Sequence, residues 1–376
     1  MLAPVSMRIC ASSSPGEVRI AVMDNGVMQD FALWRPDMAD GVGDIYRARA
    51  SAHVPALGGT FITLPGLEQA GFLPDSEGLG PLTQGQTVLV TVTRSAQGGK
   101  GVRLGARNLP SDLPGGADPK RLRRGPTPLE RLARYYPLAP IVIDDAAIAT
   151  LLPAAFHPRL TRVNSAFDSD LRAQADALED PVVPLPGGMS ASITPTPALV
   201  AIDMDGGGTS MDRRPKQTAQ FAANRDALPD LLRQLRLRNL SGAIIVDVAG
   251  LAIRKRRALS ETLEALLKND PLRPRFLGFT ALGLAEIVRP RIHPPLHELF
   301  QSREGRLLHA LRGQMQAYRG MPPDGRPVML ACGYGIMALL QDHPGWMEDF
   351  MRLTGRVLQP VLDQDLPANG WRFDHG

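Results

Sequence analysis

Two short apolar runs each end on an aspartate, and the two aspartates stand 44 positions apart. Residues 198–203 read Ala-Leu-Val-Ala-Ile-Asp and continue as Met204-Asp205-Gly206-Gly207-Gly208. Residues 242–247 read Gly-Ala-Ile-Ile-Val-Asp. Runs of this composition and length suit buried strands. A carboxylate at such a strand's end sits where the chain leaves the core. Asp203 and Asp247 on neighbouring strands would therefore set two hard oxygen ligands on one rim. Mg²⁺ suits that arrangement, since it takes one or two carboxylates and leaves its other positions to water and phosphate oxygens. The glycines after Asp205 would let backbone and phosphate approach closely. The chemistry implied is metal-dependent work on phosphate esters. The plainer alternative is that these aspartates only cap strand ends.

The elements needed to position the pair are legible nearby. Residues 218–238 carry Leu228, Leu231, Leu232 and Leu235 on one helical face, and Pro229 predicts a kink or a fresh start within it. A second helix is predicted over 255–268, with Leu259, Leu263, Leu266 and Leu267, stopped by Asn269-Asp270-Pro271. Strand, helix, strand, helix predicts an α/β unit.

The 376-residue length predicts two to four structural units with ample core material. No apolar run approaches the roughly 20 residues of a membrane span, and the first seven residues do not make a signal peptide. The expectation is a cytoplasmic protein with no membrane partner. Cys10 and Cys332 are the only cysteines, which excludes a Cys-rich zinc site. A formal net charge of +4 gives only weak support for a polyanion partner. The basic runs 120–124 and 254–257, and the group Arg233, Arg236 and Arg238, read as solvated faces. His293-Pro-Pro-Leu-His297 has histidines at zinc-binding spacing, but its prolines argue against the helix that would align them.

Upstream, residues 8–35 alternate as a small sheet, with a hairpin turn at Asp24-Asn25-Gly26. Short strands separated by Gly/Pro turns follow from about residue 41 and suit a small closed barrel. Tyr46, Phe61, Phe72, Lys100 and Arg103 fall in that segment, where aromatics could stack on bases and cations hold a backbone. The alternative is that the aromatic residues are barrel core. Residues 109–128 read as a linker rich in Pro, Gly and charge. Residues 141–144 suggest a strand and 145–152 a short helix.

The order of these pieces resembles the catalytic region of the ribonuclease E/G family. Asp44-Ile-Tyr-Arg, Gly71-Phe-Leu-Pro74 and Gly99-Lys-Gly101 resemble its barrel signatures. Arg233-Gln-Leu-Arg-Leu-Arg-Asn-Leu-Ser-Gly242, leading into Asp247, is the most specific match to the family's Arg-Gln-Leu-Arg-Leu-Arg-Asp-Leu-Gly-Gly run. Leu282 to Arg289 resembles another family string. The resemblance implies an α/β (mixed α+β) protein: an RNase H-like fold interrupted by an OB-fold barrel, then a DNase I-like catalytic unit and a small C-terminal α/β domain. The implied boundaries are 1–36 and 136–196 for the two RNase H-like parts and 37–110 for the barrel. A linker or reduced 5′-sensor is implied over 111–135, the catalytic unit over 197–300 and the small domain over 301–376. The implied activity is Mg²⁺-dependent cleavage of single-stranded RNA, leaving a 5′-phosphate. Asp203 and Asp247 would be the metal ligands and Asp205 an auxiliary catalytic acceptor. Phe61, Phe72 and Lys100 would bind RNA, joined by Tyr46 and Arg103.

This chain departs from the family pattern in several places. Asp205 replaces an Asn. The zinc-linking Cys-x-x-Cys after 289–298 is absent, so a homodimer would not be zinc-linked. The Arg-Thr pair that senses an RNA 5′-monophosphate is not found. Gly250 stands where the family has an Asp, and Ala281 where it has an Arg. Two other readings remain: a catalytically weak RNA-binding protein on this scaffold, and a haloacid-dehalogenase-type phosphatase with Asp203 as nucleophile. The phosphatase motif would need a Thr where Gly207 stands.

Overall fold

The computed structural model describes residues 7–207, 215–322 and 325–374; Gly208 lies outside the described residues. The chain divides into two compact units built from separated segments. One comprises residues 1–39, 128–179 and 296–376, the other 40–127 and 180–295.

In the first unit, three antiparallel strands (Met7–Ser14, Glu17–Asp24, Val27–Trp34) are extended by Ile141–Ile143 and Leu160–Arg162, which run parallel to the first. The Asn25-Gly26 turn takes left-handed backbone at both residues, φ 48° and 79°, as a two-residue hairpin requires. Ile9, Ile20, Leu129, Ile141 and Ile148 form one core. A three-stranded sheet of Val328–Cys332, Leu358–Leu362 and Trp371–Asp374 has a core of its own around Leu311, Leu330, Trp346 and Phe350. Glu17 is buried, and its carboxylate accepts from Arg35 at 3.0 Å and from Arg312 at 3.1 Å.

The second unit holds the barrel and the aspartate-bearing sheet. Strands Ile45–Val54, Gly59–Thr63, Gly71–Pro74, Arg103–Gly105 and Thr87–Arg94 pair in sequence, and the last pairs back onto the first. This is a closed five-stranded, OB-like barrel. The expected linker contributes structure instead. Lys120–Arg123 adds a strand beside Ile45–Arg47, and Pro128–Tyr135 is a helix of the first unit. Asp44 secures the returning chain by accepting from Gly125 N at 2.6 Å.

The sheet runs Val182–Leu185, Met189–Pro195, Val200–Asp205, Gly242–Asp247, Ala285–Arg289, Arg275–Phe279. Its first two strands come from residues expected in the RNase H-like segment 136–196. The helix Lys216–Leu237 continues through Pro229 as one element. Leu228, Leu231 and Leu235 are buried in the sheet's core. At roughly 1.5–3 kcal/mol for each buried side chain, that packing outweighs the ~3 kcal/mol cost of an interior proline. The predicted 255–268 helix is divided into Ile253–Arg256, a 3₁₀ turn over Arg257–Leu259, and Ser260–Leu267.

Tyr46 requires a correction. Its side chain lies in the barrel core with Ile62, Leu73 and Val90, and its hydroxyl donates to Asp44. A ring packed there presents no face to a base. Burial and the neighbouring Asp44 carboxylate push the phenol up to about 12. The folded barrel thus keeps a proton that the unfolded chain releases near pH 10, so stability falls as pH rises between 10 and 12. Urea unfolding at pH 9 and pH 11.5 should show the wild type losing on the order of 2 kcal/mol more than Tyr46→Phe. Equal losses in both proteins would refute this assignment.

Candidate active site

The site begins with strand register. Val200–Asp205 and Gly242–Asp247 are parallel neighbours, and Asp203 pairs with Asp247. Parallel strands lie about 4.8 Å apart, so the two side chains leave the sheet side by side. Strand alternation does the sorting. Val200, Ile202 and Met204 are buried on one face, while Asp203 and Asp205 are exposed on the other. Ile244 and Val246 turn inward in the same way, and Asp247 stays half-exposed. Ser192 pairs with Asp203 and Ser190 with Asp205, extending a polar row over the open face.

Two adjacent carboxylates repel each other, and a guanidinium partly offsets this. Arg256 Nη1 donates to Asp247 Oδ1 at 2.6 Å and to Gly283 O at 3.0 Å, while its Nε donates to Leu251 O at 2.8 Å. Arg256 was read as part of a solvated basic run. Its neighbours Arg254, Lys255 and Arg257 are exposed, but Arg256 is turned to the site. No periodicity distinguishes it in the sequence, because the chain reverses between Asp247 and the short Ile253–Arg256 helix.

That reversal is held by the long helix. Asn224, wholly buried, accepts from Ala249 N at 2.9 Å and donates to Ala249 O at 2.9 Å. About two turns earlier, Gln217 donates to Gly250 O at 3.1 Å and accepts from Ala252 N at 3.0 Å. Gln217, Gln220 and Asn224 follow i, i+3, i+7 spacing and so share a helix face. Gly250 has φ +62°, and a Cβ there would meet the Gln220 amide at 2.2 Å. The family's Asp at this position would have to displace that amide, so the glycine belongs to a rebuilt loop.

The arginine-rich run before the second aspartate is largely structural. Arg238 is buried, and its guanidinium donates to Asp180 O and to Gln234. Burial lowers it to about 10. Asn239 takes φ 48°, donates to His293 O and Pro294 O, and accepts from Arg289. Arg289 in turn binds Asp270 at 2.7 Å. An Asp in place of Asn239 would lose both amide donations. His293 is bound to Asp40, so it does not form a zinc pair with His297.

On the barrel, Phe61 and Phe72 are directly paired, half-exposed, and in edge contact with centroids 5.4 Å apart. Arg103 pairs with Phe72 and is exposed, as is Lys100 in the preceding loop. Four of the five expected barrel contacts are therefore accessible, and Tyr46 is not. Among the described residues no group of three or more His, Cys, Asp or Glu forms a metal cage. Asp203 and Asp247, with Asp205 on the same face, offer the sparse hard-oxygen set that Mg²⁺ uses. No helix among the described residues is long and apolar enough to cross a membrane.

Residues 159–292, which include both aspartates, match the model of the Ribonuclease E/G family. Over that stretch the chain is similar to the ribonuclease E/G family. It is 34% identical to ribonuclease E of Nostoc sp. over 140 residues, covering 37% of this chain and 19% of that protein. Against ribonuclease E of Escherichia coli the identity is 33% over 149 residues, covering 39% of this chain and 13% of the relative. Against ribonuclease G of Escherichia coli it is 25% over 397 aligned positions, covering 76% of this chain and 80% of the relative. The chain thus matches less than a fifth of the length of those two ribonucleases E. Its likeness to ribonuclease G is weaker but far more extensive.

If Asn224 holds the loop as described, Asn224→Leu leaves the Ala249 N–H and C=O unpaired in a buried place. The expected cost is about 2–4 kcal/mol, with faster hydrogen exchange at the Ala249 amide. Slow exchange retained in the variant would contradict this role.

Proposed function

We propose that this chain is a Mg²⁺-dependent endoribonuclease acting on single-stranded RNA, with Asp203 and Asp247 as the metal ligands. The Asp203–Asp247 register on the open sheet face is the observation that carries the reading. When bound, the metal would supply an activated water and charge stabilisation at the phosphodiester, giving a 5′-phosphate and a 3′-hydroxyl. Asp205, two residues on and on the same face, is an acceptor for the attacking water's proton or for a hydrated metal. Arg256, anchored by three acceptors through Nε and Nη1, holds Asp247 in place, and its Nη2 would donate to a phosphate oxygen. Phe61 and Phe72 take unpaired bases, and Lys100 takes the backbone. The strand orders support the finer architecture as well: an RNase H-like first unit and a DNase I-like sheet. The phosphatase reading fits poorly, because the Asp203 strand has a single parallel neighbour in a sheet whose other pairings are antiparallel.

Two departures favour testing a second reading beside the first. Gly250 and Ala281 replace charged family residues, which suits a catalytically weak RNA-binding protein. A 5′-hydroxyl, fluorescently labelled A/U-rich oligoribonucleotide separates the two. Incubated with Mg²⁺, the wild type should make internal cuts that EDTA abolishes. Asp203→Asn and Asp247→Asn should abolish cutting while changing RNA affinity by no more than about threefold. Turnover in both variants would sink the metal assignment; bound but uncut RNA in every lane would favour the second reading.

The barrel assignment has its own test. Phe61→Ala and Phe72→Ala should each weaken binding by about 1–3 kcal/mol, roughly 5- to 150-fold. Unchanged affinity in both would place the strand elsewhere.

A further inference from the structure

Three arginines converge where the barrel joins the sheet of the same unit. Arg94 ends a barrel strand and pairs with Arg103, which pairs with Phe72, which pairs with Phe61. Residues opposite one another in register share a side of the sheet. The barrel therefore carries a continuous row of two aromatic rings and two guanidiniums across four strands. The next residue after Arg94, Ser95, ties the barrel to the far side of the joint. Its amide donates to Ile292 O at 2.9 Å and its hydroxyl donates to the same oxygen at 3.1 Å. Arg291 directly precedes Ile292, so this bond sets Arg291 beside Arg94.

The charges in this cluster are not balanced by protein groups. Among the described residues, no carboxylate forms an ion pair with Arg94, Arg103 or Arg291. Arg94 Nε is buried without a hydrogen-bond partner among the described residues, and Nη2 reaches only Gly101 O at 3.4 Å. Burial, then the fields of Arg103 and Arg291, lower the Arg94 guanidinium from its ordinary value. Unpaired cations held together cost stability unless an anion joins them. Arg291 also lies against Gly242, where a Cβ would meet its guanidinium at 2.4 Å. Gly242 opens the six-residue strand that ends at Asp247, so about 17 Å of strand separates the cluster from the carboxylates.

We propose that Arg94, Arg103 and Arg291 form a phosphodiester-binding site that continues the Phe61–Phe72 row and takes consecutive phosphates of a single-stranded RNA. The inference rests on the RNA-binding reading above but not on catalysis. Each arginine serves as a backbone contact without base preference. The unfavourable packing of three like charges is kept because RNA neutralises it.

The test is fluorescence anisotropy with labelled A/U-rich and poly(A) 12-mers in EDTA, from 50 to 300 mM KCl, beside a Mg²⁺ cleavage assay. Arg103→Gln and Arg291→Gln should each weaken binding about 3- to 10-fold on both oligomers and reduce the salt slope by about 0.7. Arg291→Lys should keep the slope. Arg94→Gln should weaken binding yet leave the melting temperature unchanged or raised by roughly 1–3 °C, because it removes repulsion. An unchanged slope in Arg103→Gln/Arg291→Gln overturns the site even if the protein cuts RNA. A lowered melting temperature in Arg94→Gln with unaltered affinity makes that arginine structural and overturns its part. A wild type that binds without cutting, in an arginine-dependent way, upholds the site and removes the nuclease reading. No binding by the wild type removes both.

Discussion

The pairing of Asp203 with Asp247 across two parallel strands is the constraint on which the rest of the second unit depends. Parallel neighbours cannot be joined by a tight turn, so the chain must cross over between them. The helix Lys216–Leu237 makes that crossing and covers the face to which Ile202, Met204, Ile244 and Val246 point. A slip of one residue in either strand would turn its aspartate into the core. The apolar burial that fixes register and the exposure of the carboxylates are thus one fact. The helix that packs the inner face also reaches round the strand end through Asn224 and Gln217, and so shapes the loop leaving Asp247.

Electrostatics follow from this placement. Two carboxylates on strands whose backbones lie about 4.8 Å apart repel each other. Arg256 provides part of the counter-charge, its guanidinium held by two backbone carbonyls as well as by Asp247. The remaining deficit is what a divalent cation would meet. At the other end of the Asp247 strand the imbalance has the opposite sign, with three arginines and, among the described residues, no carboxylate paired to them. The unit therefore carries excess negative charge where a metal would sit and excess positive charge where a nucleic-acid backbone would lie. Elsewhere guanidiniums do meet carboxylates, as Arg35 and Arg312 meet Glu17 and Arg289 meets Asp270. Such pairs organise the fold without calling for a ligand.

Two of the residues that differ from the family pattern have local physical reasons. Gly250 takes left-handed backbone in a loop whose vacant side-chain space is filled by Gln220. Asn239 also has positive φ, and its amide satisfies two carbonyls that a carboxylate could not. Both residues fit the backbone of the loops in which they stand.

Much of this was legible along the chain. Apolar runs ending in Asp203 and Asp247, the leucine face from Leu228 to Leu235, and the Asn25-Gly26 hairpin are local patterns whose period or turn chemistry specifies an element by itself. The short-strand barrel was legible for the same reason, though the outward placing of Phe61 and Phe72 was not, since their ring types fit core and surface alike. Tyr46 was not, because alternation says which residues share a face and cannot say which face closes inward when a sheet curls into a barrel. Nor were Arg256, Asn224 and the Arg94–Arg103–Arg291 cluster. Each acts on a partner distant in sequence, through a chain reversal or across a joint between barrel and sheet, and only the tertiary structure brings those backbones within hydrogen-bonding distance.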